Sequence, residues 1–157
     1  MGDAPLGVAE LHALENNLDI EYKKITAEEI AAERPGQYDV VTCLEMLEHV
    51  PDPAAIVQAC ADLCKPGGHL YFATINRNPK SYFFAILGAE HILKLLPKGT
   101  HDYEKLIKPS ELYRWIRESD LLLNDSTGMT YNPFSKKYKL HPTNLDVNYL
   151  LHATKPE

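Results

Sequence analysis

The chain predicts an α/β fold, and three observations carry that prediction. Residues 38–44 (Tyr-Asp-Val-Val-Thr-Cys-Leu) are an apolar run of strand length, read as a buried strand on Val40, Val41, Cys43 and Leu44. Residues 53–63 place Ile56, Val57, Cys60 and Leu63 on one helical stripe that Cys64 continues. Residues 70–75 (Leu-Tyr-Phe-Ala-Thr-Ile) are a second apolar run. Strand, helix and strand, joined by the turn Lys65-Pro66-Gly67-Gly68, make a right-handed βαβ unit.

Around this unit the other elements can be read in chain order. Asp3 before Pro5 starts a helix that Asn16-Asn17 ends. Ile20-Glu21-Tyr22 reads as a short strand. Thr26 caps a helix to about Glu33, stopped by Pro35-Gly36. Asp52-Pro53 is an N-cap with a proline next to it at the first helical position. Ser110–Glu118 is a helix with Leu112, Trp115 and Ile116 facing in, and the alternation near 121–131 and 145–153 predicts closing antiparallel strands. No internal repeat, low-complexity tract or linker interrupts the chain, so its 157 residues read as a single domain spanning 1–157.

Composition narrows the function. Hydrophobic residues at 45% and charged ones at 24% are ordinary for a soluble globular chain. A net charge of −6 excludes general nucleic-acid binding, which needs a basic footprint. Cys43, Cys60 and Cys64 form no disulfide framework, and with no secretory signal the expected compartment is the cytoplasm. Cys60 and Cys64 read as buried small hydrophobes, because no other cysteine or histidine stands at matching metal-ligand spacing.

The chemistry concentrates where the first strand of the βαβ unit ends. Ligand sites in open α/β sheets gather at the carboxyl ends of strands. If residues 45–49 form one α-helical turn, Glu45, Glu48 and His49 share a face. Pro51 and Pro53 keep that turn short. The spacing alone leaves two readings open: a divalent-metal site, or a solvated acidic turn before Pro51. Asn76 and Arg77, with Asn78, end the second strand at the same sheet edge, where they either meet a substrate or serve turn chemistry before Pro79. His101, in the polar loop Lys98-Gly99-Thr100-His101-Asp102, is a candidate general base or a plain exposed histidine. Ser81 to Leu96 is a greasy helical stretch fringed by Lys80, Lys94 and Lys98. Its sixteen residues would span about 24 Å, too short to cross a bilayer but suited to lying in a membrane interface or covering a lipid tail. A buried lid helix is the other reading.

The strings YDVVTCLEMLEHVPDP, LCKPGGHLYFATINRN, KGTHD and DVNYLLH together resemble the ubiquinone-biosynthesis O-methyltransferases, enzymes of the class I S-adenosylmethionine-dependent type. The resemblance runs from Pro5 to Lys155. It implies the C-terminal portion of a class I methyltransferase (Rossmann-like) sheet with helices on both faces. The glycine-rich cofactor loop and the acidic residue of the second strand are expected upstream of Met1, so the chain reads as an incomplete domain, a fragment of a longer enzyme.

The resemblance also implies O-methylation of polyprenylated phenols or catechols, with S-adenosyl-L-methionine as donor and Mg2+ held by Glu45, Glu48 and His49. Leu44 is implied to border the cofactor. A peripheral position on the inner membrane through 81–96, and contact with other ubiquinone-biosynthesis proteins, are further expectations. Two alternatives stay open: a class I methyltransferase with another small acceptor, and a non-catalytic membrane-associated remnant.

Overall fold

The strand expected to be buried lies at the edge of a five-stranded sheet ordered β1-β2-β5-β3-β4. This arrangement comes from a computed structural model that describes residues 3–82, 102–132 and 135–157. The strands are β1 (Tyr38–Leu44), β2 (Cys64–Ile75), β3 (Leu122–Asn132), β4 (Lys137–His141) and β5 (Asn148–Thr154). β1 and β2 are parallel, and every other pairing is antiparallel. The last strand is therefore threaded between β2 and β3. Cys43 is the only buried residue of β1; Val41 packs partly on the core, while Val40 and Leu44, on the face opposite the helices that pack on the sheet, are 52% and 54% exposed.

Helices α2 (Ala27–Glu33), α3 (Pro53–Leu63) and α5 (Pro109–Glu118) form one layer against the sheet. The core between them joins Ile56, Val57 and Cys60 of α3, Leu70 and Phe72 of β2, Leu112 and Ile116 of α5, and Tyr149 and Leu151 of β5. Trp115 is only partly buried against it. On the other face Tyr71 and Leu122 join Val40 and Leu44 in solvent. Helix α1 (Asp3–Glu15) buries only Ala13, and its Val8, Leu11 and Leu14 are exposed. All three cysteines are free and buried, as their small apolar character predicts.

Local signals worked as their chemistry requires. Thr26 and Glu29 form a reciprocal capping box on α2. Asp52 accepts from the Ala55 amide at 3.1 Å ahead of Pro53, and starts α3. Lys155 Nζ donates to the Ala61 and Cys64 carbonyls at 2.8 and 3.0 Å, satisfying the end of that helix.

Two further expectations need correction, and one strand is unexpected. Ile20-Glu21-Tyr22 is not a strand; the segment is irregular and is tied down instead by an Arg34–Glu21 ion pair at 2.7 Å. The Lys65–Gly68 turn is absorbed into β2, where Tyr38 pairs with Cys64 and Val40 with His69 across a register shift. A Cβ on Gly68 would lie 2.6 Å from Cys64 Sγ and 2.9 Å from the Asp39 carbonyl, so only glycine lets the chains close there. β4 was not anticipated: it pairs with β3 as a hairpin edge whose residues are almost all exposed.

Candidate functional site at the carboxyl ends of the parallel strands

β1 and β2 finish side by side, and their ends build the site. The Glu45 amide donates to the Ala73 carbonyl at 2.9 Å, extending the ladder one residue past Leu44. Glu45 then adopts φ +52°, a left-handed conformation that costs about 1 kcal/mol or more for a side-chain-bearing residue. The reversal breaks the expected α-helical turn. In its place the chain forms a 3-10 turn at Leu47–His49, anchored by the fully buried Leu47.

This turn drives Glu48 inward. Its residue exposure is 3%, and the Thr74 hydroxyl donates to its Oε2 at 2.7 Å. Glu48 Oε1 is the one buried side-chain nitrogen or oxygen without a hydrogen-bond partner among the described residues. Leaving such an atom unpaired costs about 1–3 kcal/mol, more when it is charged. Glu45 keeps more of its surface in solvent, but its carboxyl is crowded by the protein and by Glu48. Loss of solvation, then the Glu48 charge, then a hydrogen bond that its protonated form gives to the Glu48 carboxylate, push its pKa up to about 7.

The structure thus assembles a carboxylate pair. His49 stands exposed on the turn, and among the described residues no three His, Cys, Asp or Glu side chains gather as a metal-holding group. The three-point convergence expected of an α-turn is replaced by two carboxylates, because a 3-10 turn after a left-handed residue changes the angular spacing. An unpaired buried carboxylate oxygen next to a second carboxylate still fits a hard divalent cation, which takes one or two such groups and keeps its waters.

Two residues that sequence reading passed over are buried at this strand end, and the first of them bonds the pair. Thr74 is one. Tyr149, its partner across β2 and β5, is the other: fully buried, it donates from its phenol to the Ile107 carbonyl at 2.9 Å. Burial pushes that phenol well above the usual range. The available signal was a hydroxyl at 74 on the strand face that Leu70 and Phe72 otherwise fill with carbon.

The other expected residues take less direct places. Leu44 borders an open groove of about 430 Å³ lined by Ile25, Ile30, Val41, Cys43 and Met46. Asn76 donates to the Leu145 carbonyl at 2.8 Å, and Arg77 donates to the Glu104 carbonyl at 2.9 Å and pairs with Glu111. Asn78 caps the single helical turn α4 (Pro79–Ser81). These polar groups are spent on holding loops to the sheet end. His101, and the stretch from 83 to 96, lie outside the described residues.

A methyltransferase domain model matches residues 7–123. The ubiquinone biosynthesis O-methyltransferase of Saccharophagus degradans is 62% identical over 155 residues, 99% of this chain and 66% of that protein. That of Pseudomonas fluorescens is 58% identical over 157 residues, all of this chain and 67% of its relative. The chain belongs to the ubiquinone biosynthesis O-methyltransferase family. It spans about two thirds of the length of the curated family members it matches. Solved methyltransferases share its fold. A SAM-dependent methyltransferase from Methanosarcina mazei superposes with a TM-score of 0.65 at 18% identity, covering 99% of this chain and 79% of that one. The magnesium protoporphyrin IX methyltransferase of Synechocystis, with bound SAH, gives 0.58 at 19%, covering 96% and 59%. The family's mixed α/β fold is therefore that of the S-adenosylmethionine-dependent enzymes. No described helix of this family member is long and apolar enough to cross a membrane.

Proposed function

We propose that this chain supplies the acceptor side of an O-methyltransferase that moves a methyl group from S-adenosylmethionine to a hydroxyl of a polyprenylated phenol or catechol in ubiquinone biosynthesis. One observation carries the site assignment: the buried Glu48 carboxylate, pinned at one oxygen and unpaired at the other, at the end of β1. Family membership supports the reaction class.

In that reaction the phenol loses its proton, an oxygen–carbon bond forms, the sulfonium–methyl bond breaks, and S-adenosylhomocysteine leaves. A phenol starts with a pKa of about 10, so the oxygen needs help at neutral pH. Glu45 and Glu48 would hold Mg2+, with His49 as the third candidate ligand from the same turn. A bound divalent ion supplies stabilisation of the phenolate and fixes the orientation of adjacent hydroxyls. Glu45, with its carboxyl near neutrality, competes for a proton at the same place. Leu44 presents an apolar edge to the groove and borders the donor. Arg77 and Asn76 fix the loops that wall the site, and His101 is the residue proposed to accept the phenolic proton.

The test is a methyl-transfer assay of the full-length enzyme on a polyprenyl catechol. Activity should vanish in excess chelator, return with Mg2+, and fall by orders of magnitude in Glu48→Gln with the fold retained. Full activity in chelator would remove the cation from the reading.

A further inference from the structure

We infer that Thr74 is a positioning residue for cation binding: its hydroxyl locks the Glu48 carboxylate in the orientation that leaves one oxygen available. The inference rests on the cation reading just given. Thr74 is fully buried on a strand face whose neighbours Leu70 and Phe72 are carbon. A hydroxyl buried there costs free energy unless it is hydrogen-bonded, and a valine would fill the same volume without that cost. The hydroxyl is bonded, and to a single carboxylate oxygen, Glu48 Oε2, at 2.7 Å. A donor aimed at a carboxylate is a charge-assisted bond, about twice as strong as a neutral one.

The geometry separates the two Glu48 oxygens into different jobs. Oε2 is held by a residue of β2, a strand paired on both sides and so rigid. Oε1 is buried with no partner. A glutamate on a 3-10 turn has three free torsions, and without the Thr74 donor the side chain could rotate to satisfy both oxygens elsewhere or turn to water. A ligand carboxylate fixed by a neighbouring hydrogen bond binds metal more tightly, and loss of such a support costs about 10–100-fold in metal affinity.

The experiment measures Mn2+ binding, as a hard-oxygen substitute for Mg2+, by the electron paramagnetic resonance signal of the free ion, in the full-length protein. Thr74→Val should weaken binding about 10–100-fold, while Thr74→Ser, which restores the hydroxyl, should stay within about threefold of wild type. Thr74→Cys, close in volume and a weak donor, carries the same expected loss and serves if the valine variant does not fold. Unchanged affinity in Thr74→Val or Thr74→Cys overturns the inference, and so does an equal loss in Thr74→Ser, which would mark a packing effect. Wild-type protein that binds no Mn2+ overturns the cation reading itself, and this inference with it. A wild type that binds, beside a valine variant that binds equally well, overturns this inference alone.

Discussion

Glu45 and Glu48 stand close enough at the end of β1 for the charge of one to raise the pKa of the other, with burial the larger cause. Glu45 titrates at about 7 in the folded chain against 4.5 ordinarily. Between these values the folded state holds a proton that the unfolded chain has released. The group's contribution to stability is therefore intact below about pH 4.5 and is lost as the pH rises through 7. Urea unfolding of the metal-free full-length protein should show stability falling from about pH 5 to about pH 8, and Glu45→Gln should flatten that slope. Identical slopes in the two proteins would show that Glu45 is not the titrating group.

The same proton competes with a cation. Mg2+ affinity should fall as the pH drops below about 7, because the ligand must be deprotonated to bind. Isothermal titration at about pH 6 and about pH 8 checks this. An affinity independent of pH would mean that Glu45 does not ligate the ion.

Gly128 of β3 sits against the loop before β5: a Cβ there would lie 1.6 Å from the Asn144 carbonyl oxygen and 2.7 Å from its carbon. Both atoms are backbone and cannot swing aside. Gly128→Ala should destabilise the protein by about 1–3 kcal/mol or more, as overpacking does. A melting temperature within a degree of wild type would refute the close approach.

Tyr149→Phe removes the donor to the Ile107 carbonyl and leaves that acceptor buried. The expected loss is about 1–3 kcal/mol. Because the hydroxyl removed bonds Ile107 and not Glu48, and the ladder pairing with Thr74 is backbone, Mn2+ binding should stay close to wild type, in contrast to Thr74→Val. Chemical denaturation and the spin-resonance titration read the two effects separately.

The sequence from Ser81 to Leu96 carries Phe83, Phe84, Ile86 and Leu87 beside flanking lysines. Full-length protein should co-sediment with anionic vesicles, and a Phe83→Ser/Leu87→Ser variant should do so less. Equal partitioning would take this stretch out of any membrane account.

The parts of the fold legible in sequence were those encoded by short-range chemistry. The Asp52-Pro53 cap, the Thr26 cap, and the Leu112 and Ile116 stripe each depend on residues within a few positions of one another. The strand expected at Ile20 failed because a strand exists only with a partner, and hydrophobic pattern cannot supply one. β4 escaped notice because Lys137-Tyr138-Lys139-Leu140, though it alternates, is short and leaves its apolar Tyr138 and Leu140 exposed at a hairpin edge. At the site, the residues at 45 and 48 were evident, but their geometry was not. A left-handed glutamate leading into a 3-10 turn is set by the Ala73 carbonyl and by Leu47 in the core, contacts that local spacing does not reveal.

The insertion of β5 between β2 and β3 has a consequence in time. During synthesis residues 38–75 leave the ribosome before residues 148–154 and can pair with each other first, yet β2 lacks one neighbour, and Thr74 lacks Tyr149, until the later segment emerges. β3 likewise waits for a strand made after it. Joining β2 to β3 through β5 is thus a closure of high sequence separation and correspondingly slow.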